Sequence, residues 1–139
     1  MRRAIVDTGP LVAFLNRRDG RHEWALEVLG GAVAPMLTCE AVLSEACFLL
    51  RNVAGGADAV LRLCEEGVLD VRFGAGAHAS RVRALMKRYA DVPMSLADAC
   101  LVRLSELHPA ATVVTFDSDF RVYRRNGRQV VPVAMPPPT

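Results

Sequence analysis

The sequence predicts an α/β protein: a three-layer α/β/α sandwich around a mostly parallel, five-stranded sheet. Three observations carry this. Short runs that are apolar throughout recur between segments of helical periodicity, and such runs read as strands buried on both faces. Runs and helices alternate along the chain, which favours crossover connections and parallel pairing. The first run, Ala4-Ile5-Val6, stops abruptly at Asp7, and Thr8-Gly9-Pro10 turns the chain into a new periodic segment. Open parallel sheets place functional side chains in this way, outside the carboxyl ends of their strands.

Each element has its own signal. Leu11, Val12, Ala13, Phe14 and Leu15 form a short apolar helix, broken at the turn-prone residues 16–20. Residues 22–29 are a second helix with Trp24, Ala25, Val28 and Leu29 on one side, ended by Gly30-Gly31. Residues 33–37 are the second strand, with Pro35 near an edge or entry. Thr38 is expected to cap a helix running to about residue 52, and Gly55-Gly56 separates it from a helix over 57–66. Residues 68–73 alternate as a third strand. A glycine turn then leads into a basic helix over 77–89, and a loop at 91–94 into an apolar helix over 95–107. Residues 111–116 are the fourth strand and 129–133 the fifth. The expected organisation is one domain over residues 1–134 and a Pro-rich tail, 135–139, extended or disordered.

A chain of 139 residues with 52% hydrophobic and 23% charged side chains can bury a core without staples. No apolar run approaches the roughly 20 residues of a membrane span, and the first apolar run is too short for a signal peptide. No membrane partner and a cytoplasmic location are therefore expected. Cys39, Cys47, Cys64 and Cys100 show no C-x-x-C spacing and sit among apolar neighbours, as core residues of a reduced protein do. His22, His78 and His108 fit no ligand spacing and read as surface or cap residues. The net charge of +2 does not by itself argue for nucleic acid. The basic residues are clustered, however, at Arg17, Arg18 and Arg21, on the helix bearing Arg81, Arg83, Lys87 and Arg88, and again from Arg121 to Arg128.

The acids are the informative residues. Asp7 alone is equally a helix-capping residue. Glu45 has Ala41, Val42, Phe48 and Leu49 as its helical neighbours, so it falls within an apolar stripe. A carboxylate there needs an inward Arg, a place at the stripe's boundary with partial exposure, or some other positive partner. Asp98 repeats the pattern, although Ser95-Leu96-Ala97-Asp98 also matches a capping box. Asp117 and Asp119 follow the fourth strand as Asp7 follows the first. Together these segments bring Asp7, Glu45, Asp98 and Asp117, with Asp119, toward one edge of the sheet. Such a cluster is tolerable only with bound cations or shifted pKa values. Its oxygen-only donors select Mg²⁺ or Mn²⁺ over zinc.

Four motifs, Ile5-Val6-Asp7-Thr8-Gly9-Pro10, Glu40-Ala41-Val42-Leu43-Ser44-Glu45-Ala46, Met94-Ser95-Leu96-Ala97-Asp98-Ala99 and Thr115-Phe116-Asp117-Ser118-Asp119-Phe120, resemble those of PIN-domain ribonucleases, in the family's order. The resemblance covers residues 1–134 and is nearest to small single-domain toxins of VapBC toxin–antitoxin pairs. It implies a Rossmann-like sandwich and metal-dependent RNA cleavage. The family's near-invariant acids map to Asp7, Glu45 and Asp98, and its fourth acidic position to Asp117, Asp119 or both. Thr8 and Thr115 match small polar positions beside the acids. Arg17, Arg18, Arg21, Arg81 and Lys87 would then form a phosphate track. The resemblance also implies a homodimer, whose interface is expected on the large apolar residues between Arg21 and Asn52 (Trp24, Leu26, Val28, Phe48, Leu49 and Leu50), and silencing by a small antitoxin.

Two other readings compete. A phosphatase using Asp7 as nucleophile would want a second Asp two residues on, where this chain has Gly9. A PIN-like RNA-binding module would keep the acids only for a structural ion.

Overall fold

A computed structural model describes residues 2–138. Its centre is β1 (Arg3–Val6), whose Ala4, Ile5 and Val6 are all buried. Full burial of an Ile or Val side chain contributes about 1.5–3 kcal/mol. Around β1 lie β2 (Val33–Cys39), β3 (Leu69–Phe73), β4 (Thr112–Val114) and β7 (Val133–Ala134), in the order β3-β2-β1-β4-β7. Every pairing in this sheet is parallel. One layer of helices comprises α1 (Thr8–Leu15), α2 (His22–Gly30), α3 (Glu40–Leu49) and α4 (Gly56–Glu65). The other comprises α5 (Ala79–Arg88) and α6 (Leu96–Leu107), with α6 lying along β1, β2 and β4. The predicted sandwich is therefore present, with its five strands.

Three local expectations need correction. Thr38 does not cap a helix, because β2 continues through Cys39. Its buried hydroxyl instead donates to the Val6 carbonyl at 2.7 Å, tying β2 to β1 just before Asp7. The fifth strand is not 129–133. Gln129–Val130 is β6, paired antiparallel with β5 (Arg124–Arg125) in a separate hairpin, and Val133–Ala134 alone joins the main sheet. Asn126 and Gly127, both with positive φ, make the bend that separates the two pairings. Finally, Leu50 is fully buried and so cannot serve a dimer surface, while Leu26, Phe48 and Leu49 remain exposed.

All four cysteines are free, with Cys39 and Cys100 buried. No helix among the described residues is long and apolar enough to cross a membrane. Residues 135–138 of the Pro-rich tail carry no helix or strand, and Thr139 lies outside the described residues.

The two helices of the second layer are locked by a polar cluster. Glu106, only 2% exposed, receives a bidentate pair from Arg81 (2.6 Å at the closest), a bond from Arg103 (3.2 Å) and the Asn126 N–H (2.7 Å). Burial alone would raise its pKa. Its bonds to Arg81 and Asn126, with the charge of Arg81, outweigh that and hold the carboxyl below its usual range.

Candidate active site

The acids meet where the sequence predicted, at the carboxyl edge of the sheet. Asp7 directly follows β1 and is fixed from three sides. Its backbone N–H still bonds the Val114 carbonyl of β4 at 3.0 Å. Its Oδ1 accepts the Thr8 N–H (2.8 Å) as the N-cap of α1, and Oδ2 accepts the Thr115 hydroxyl (2.6 Å). The same Thr115 oxygen accepts the Asp117 N–H at 3.0 Å, so one buried hydroxyl links two of the acids. Asp117 in turn caps the short 3-10 helix Ser118–Arg121 by accepting the Asp119 N–H.

Asp98 caps its helix and also lines the cavity shared with Asp7. It forms the capping box of α6 with Ser95, and Tyr123 also donates to its Oδ2 at 3.1 Å. Burial first, then the charge of Asp98, raises the Tyr123 pKa well above the usual phenol value, so this hydroxyl is a donor.

Asp7, Glu45, Asp98 and Asp117 line a single cavity of about 390 Å³ together with Thr8, Gly9, Ser95 and Phe116. Glu45 reaches it differently from expectation. The core-facing side of α3 is Val42, Leu43 and Ala46, whereas Phe48 and Leu49 are exposed, so Glu45 is an exposed side chain on the cavity wall and not a buried one. Asp119 does not line the cavity. Slight burial, followed by the charges of Asp117 and Asp98, raises its pKa.

The electrostatics of the cavity centre on Asp7. Desolvation pushes its pKa up to about 6 against the bonds from Thr115 and Thr8, and the charges of Asp98 and Asp117 add to the rise. A half-buried acid surrounded by acids lacks a positive partner. The donors are all oxygen, and Asp98 Oδ1, Asp117 Oδ2 and the Glu45 carboxylate receive no protein hydrogen bond among the described residues. This donor set fits a hard divalent cation that keeps part of its water shell. Among the described residues, no three His, Cys, Asp or Glu side chains stand close enough together to hold one ion between them.

Phe116 forms the aromatic wall of the cavity, packed on Trp24 at 5.6 Å, with the Arg21 guanidinium 4.4 Å above its ring. Gly9 is required by this packing, since a Cβ there would come within 2.7 Å of the Phe116 ring. Arg21 thus sits against the aromatic wall of the acidic cavity. Arg17 and Arg18 line a separate cavity of about 590 Å³ with Asn16, Asn52 and Val53. Lys87 lies on α5 beside Arg83. Arg81 is engaged with Glu106 through Nε and Nη2, which counts against its place in a phosphate track.

Sequence reasoning missed Phe116 and Tyr123 as site residues. Phe116 could have been found from its place between Thr115 and Asp117. Tyr123 had no comparable signal, being 25 residues from Asp98 with no assigned element around it.

A parallel α/β/α sandwich with four carboxylates on one cavity at its carboxyl edge defines the class, a Rossmann-like domain with an acidic site. The PIN domain family model matches residues 4–126, and the chain belongs to that family. Comparison with curated protein sequences finds no match. Among solved structures, the chain is similar to the VapC20 toxin of Mycobacterium tuberculosis, described as cleaving the sarcin–ricin loop. The identity is 22% over 86% of this chain and 93% of that one, with a TM-score of 0.75. It is also similar to VapBC2 of Rickettsia felis, solved with a DNA fragment from its promoter. That identity is 14% over 97% and 98% of the two chains, with a TM-score of 0.61.

Proposed function

We propose that this PIN-domain chain is a cytoplasmic ribonuclease that hydrolyses RNA phosphodiester bonds with Mg²⁺ or Mn²⁺, and that it is the toxin of a toxin–antitoxin pair. The observation that supports this best is the shared cavity of Asp7, Glu45, Asp98 and Asp117, in which burial, with the charges of Asp98 and Asp117, raises the Asp7 pKa to about 6. These four acids, with Asp119, whose N–H bonds Asp117, are the residues proposed to hold the ion. When bound, a divalent cation neutralises the phosphodiester and lowers the pKa of an attacking water.

The chain's own residues do the rest. Thr115 and the Thr8 N–H orient the Asp7 carboxylate, and the Ser95 box orients Asp98. Arg21, exposed above Phe116, offers a guanidinium to a backbone phosphate, and Arg17 and Arg18 extend the track. Lys87 on α5 is a more distant contact. The phosphatase alternative loses support at Gly9, where the Phe116 ring leaves little room for a second Asp.

Incubating the purified protein with end-labelled RNA tests the reading. Cleavage is expected with Mg²⁺ or Mn²⁺, none in EDTA, and recovery when excess Mn²⁺ is returned. Full activity in chelator contradicts it. An RNA that is bound but never cut would favour the non-catalytic module.

The exposed apolar residues Leu26, Phe48 and Leu49 on α2 and α3 are the proposed core of a homodimer. Light scattering at tens of micromolar should give about twice the 15.1 kDa chain mass. A Phe48→Glu variant should return to the monomer, and a monomeric parent protein would remove the proposal. A small antitoxin is expected to inhibit cleavage reversibly by covering the acidic cavity and pairing with Arg21.

A further inference from the structure

The Asp98 carboxylate is held by one oxygen only. Both of its side-chain donors, the Ser95 N–H and the Tyr123 hydroxyl, reach Oδ2 at 3.1 Å, and Oδ1 receives no protein donor among the described residues. The Ser95 contact belongs to the capping box and is what any such box provides. Tyr123 is a separate device. It is fully buried, and its ring is wedged between Tyr89 and Phe120, edge to face, with ring centres 5.1 Å away on each side. Packing therefore sets the position of its hydroxyl, and the hydroxyl sets the rotation of the Asp98 carboxylate.

We infer that Tyr123 is a positioning residue for the acidic site: by tying down Oδ2 of Asp98 it leaves Oδ1 as the oxygen offered to a divalent cation. The inference rests on the metal-dependent reading above. Residues that orient ion-binding side chains in this way commonly change metal affinity 10–100-fold when their hydrogen bond is removed.

A buried phenol needs a hydrogen-bond partner whatever its function, so a purely structural role must be separated. Tyr89 supplies the control. It is also buried and belongs to the same ring stack, but its hydroxyl accepts the Arg124 N–H at 2.8 Å and bonds no acid. Tyr123→Phe and Tyr89→Phe each keep the ring and remove one hydrogen bond.

Calorimetric titration with Mn²⁺ alone, without RNA, and melting curves in metal-free buffer test the difference. Both variants should lose comparable thermal stability. Tyr123→Phe should bind Mn²⁺ about tenfold more weakly than the parent, and Tyr89→Phe within about twofold of it. Equal Mn²⁺ affinity in Tyr123→Phe and the parent overturns the inference, as does an equal loss in Tyr89→Phe. A parent protein that binds no Mn²⁺ removes the metal-dependent reading and this inference with it, whereas a parent that binds and cleaves isolates the fault to Tyr123.

Discussion

Replacing Asp7 by Asn is expected to cut RNA cleavage by about three orders of magnitude or more, because several kcal/mol of transition-state stabilisation depend on the ion it helps to hold. Asp98→Asn should do the same. Stability should move the other way in metal-free buffer. The folded-state pKa of Asp7 is raised to about 6, so the folded protein takes up a proton more readily than the unfolded chain. Stability attributable to this group therefore rises as the pH falls from about 7 toward 4, and above pH 6 the ionised carboxylate costs of order 2–3 kcal/mol. Asp7→Asn removes that cost but gives up one of the two bonds the carboxylate accepts, because the amide has a single acceptor oxygen. On balance it should melt about 5 °C higher than the parent at pH 7.5 in EDTA. Adding Mn²⁺ should reverse the order, since only the parent gains an ion that binds the folded state. Retained cleavage in either variant, or identical melting with and without Mn²⁺, contradicts the assigned roles.

Replacing Glu106 by Ala is expected to give the largest loss of stability, about 3 kcal/mol or roughly 10 °C in melting temperature. The change leaves Arg81 and Arg103 without their shared carboxylate and the Asn126 N–H without its acceptor. The pH dependence has the opposite sign to that of Asp7. Because the folded-state pKa of Glu106 is lowered, its stabilisation is present above the usual carboxylate pKa and lost as the pH falls through the folded value. The parent should lose stability in acid below the usual carboxylate range, and Glu106→Ala should show a flatter acid limb. Cleavage per folded molecule, measured well below the melting temperature, should be unchanged. A variant that melts with the parent would mean that the ion cluster only decorates the α5–α6 contact.

Much of this was legible because the decisive features are local. The apolar run ending at Asp7 is a strand and its tip, and both are set within seven residues. Ser95 and Asp98 announce the start of α6 by a pattern whose two hydrogen bonds lie within four residues. Features that depend on long-range pairing were harder to read. Gln129 and Val130 look like a sheet strand by composition, yet the Asn126-Gly127 bend pairs them locally with β5. Thr38 resembles a helix cap, and only the neighbouring β1 carbonyl explains its burial inside a strand. Glu45 lines the cavity, but not by the burial its neighbours suggest. Its apolar neighbours Phe48 and Leu49 face outward, which no helical periodicity could distinguish from facing the sheet. Arg81 shows the same limit for charge, since a basic helix face looks alike whether it awaits a phosphate or already holds Glu106. Tyr123 meets Asp98 only through the tertiary fold.

The central claim is that the acidic cavity is a divalent-metal site. Crystals soaked in Mn²⁺ and measured for anomalous scattering test it most directly. The predicted result is a peak in the cavity with carboxylate oxygens of Asp7 and Asp98 either in direct contact, at about 2.1 Å, or bridged to the ion by one water. No cavity peak at saturating Mn²⁺, or a peak only at acids elsewhere on the surface, would contradict it.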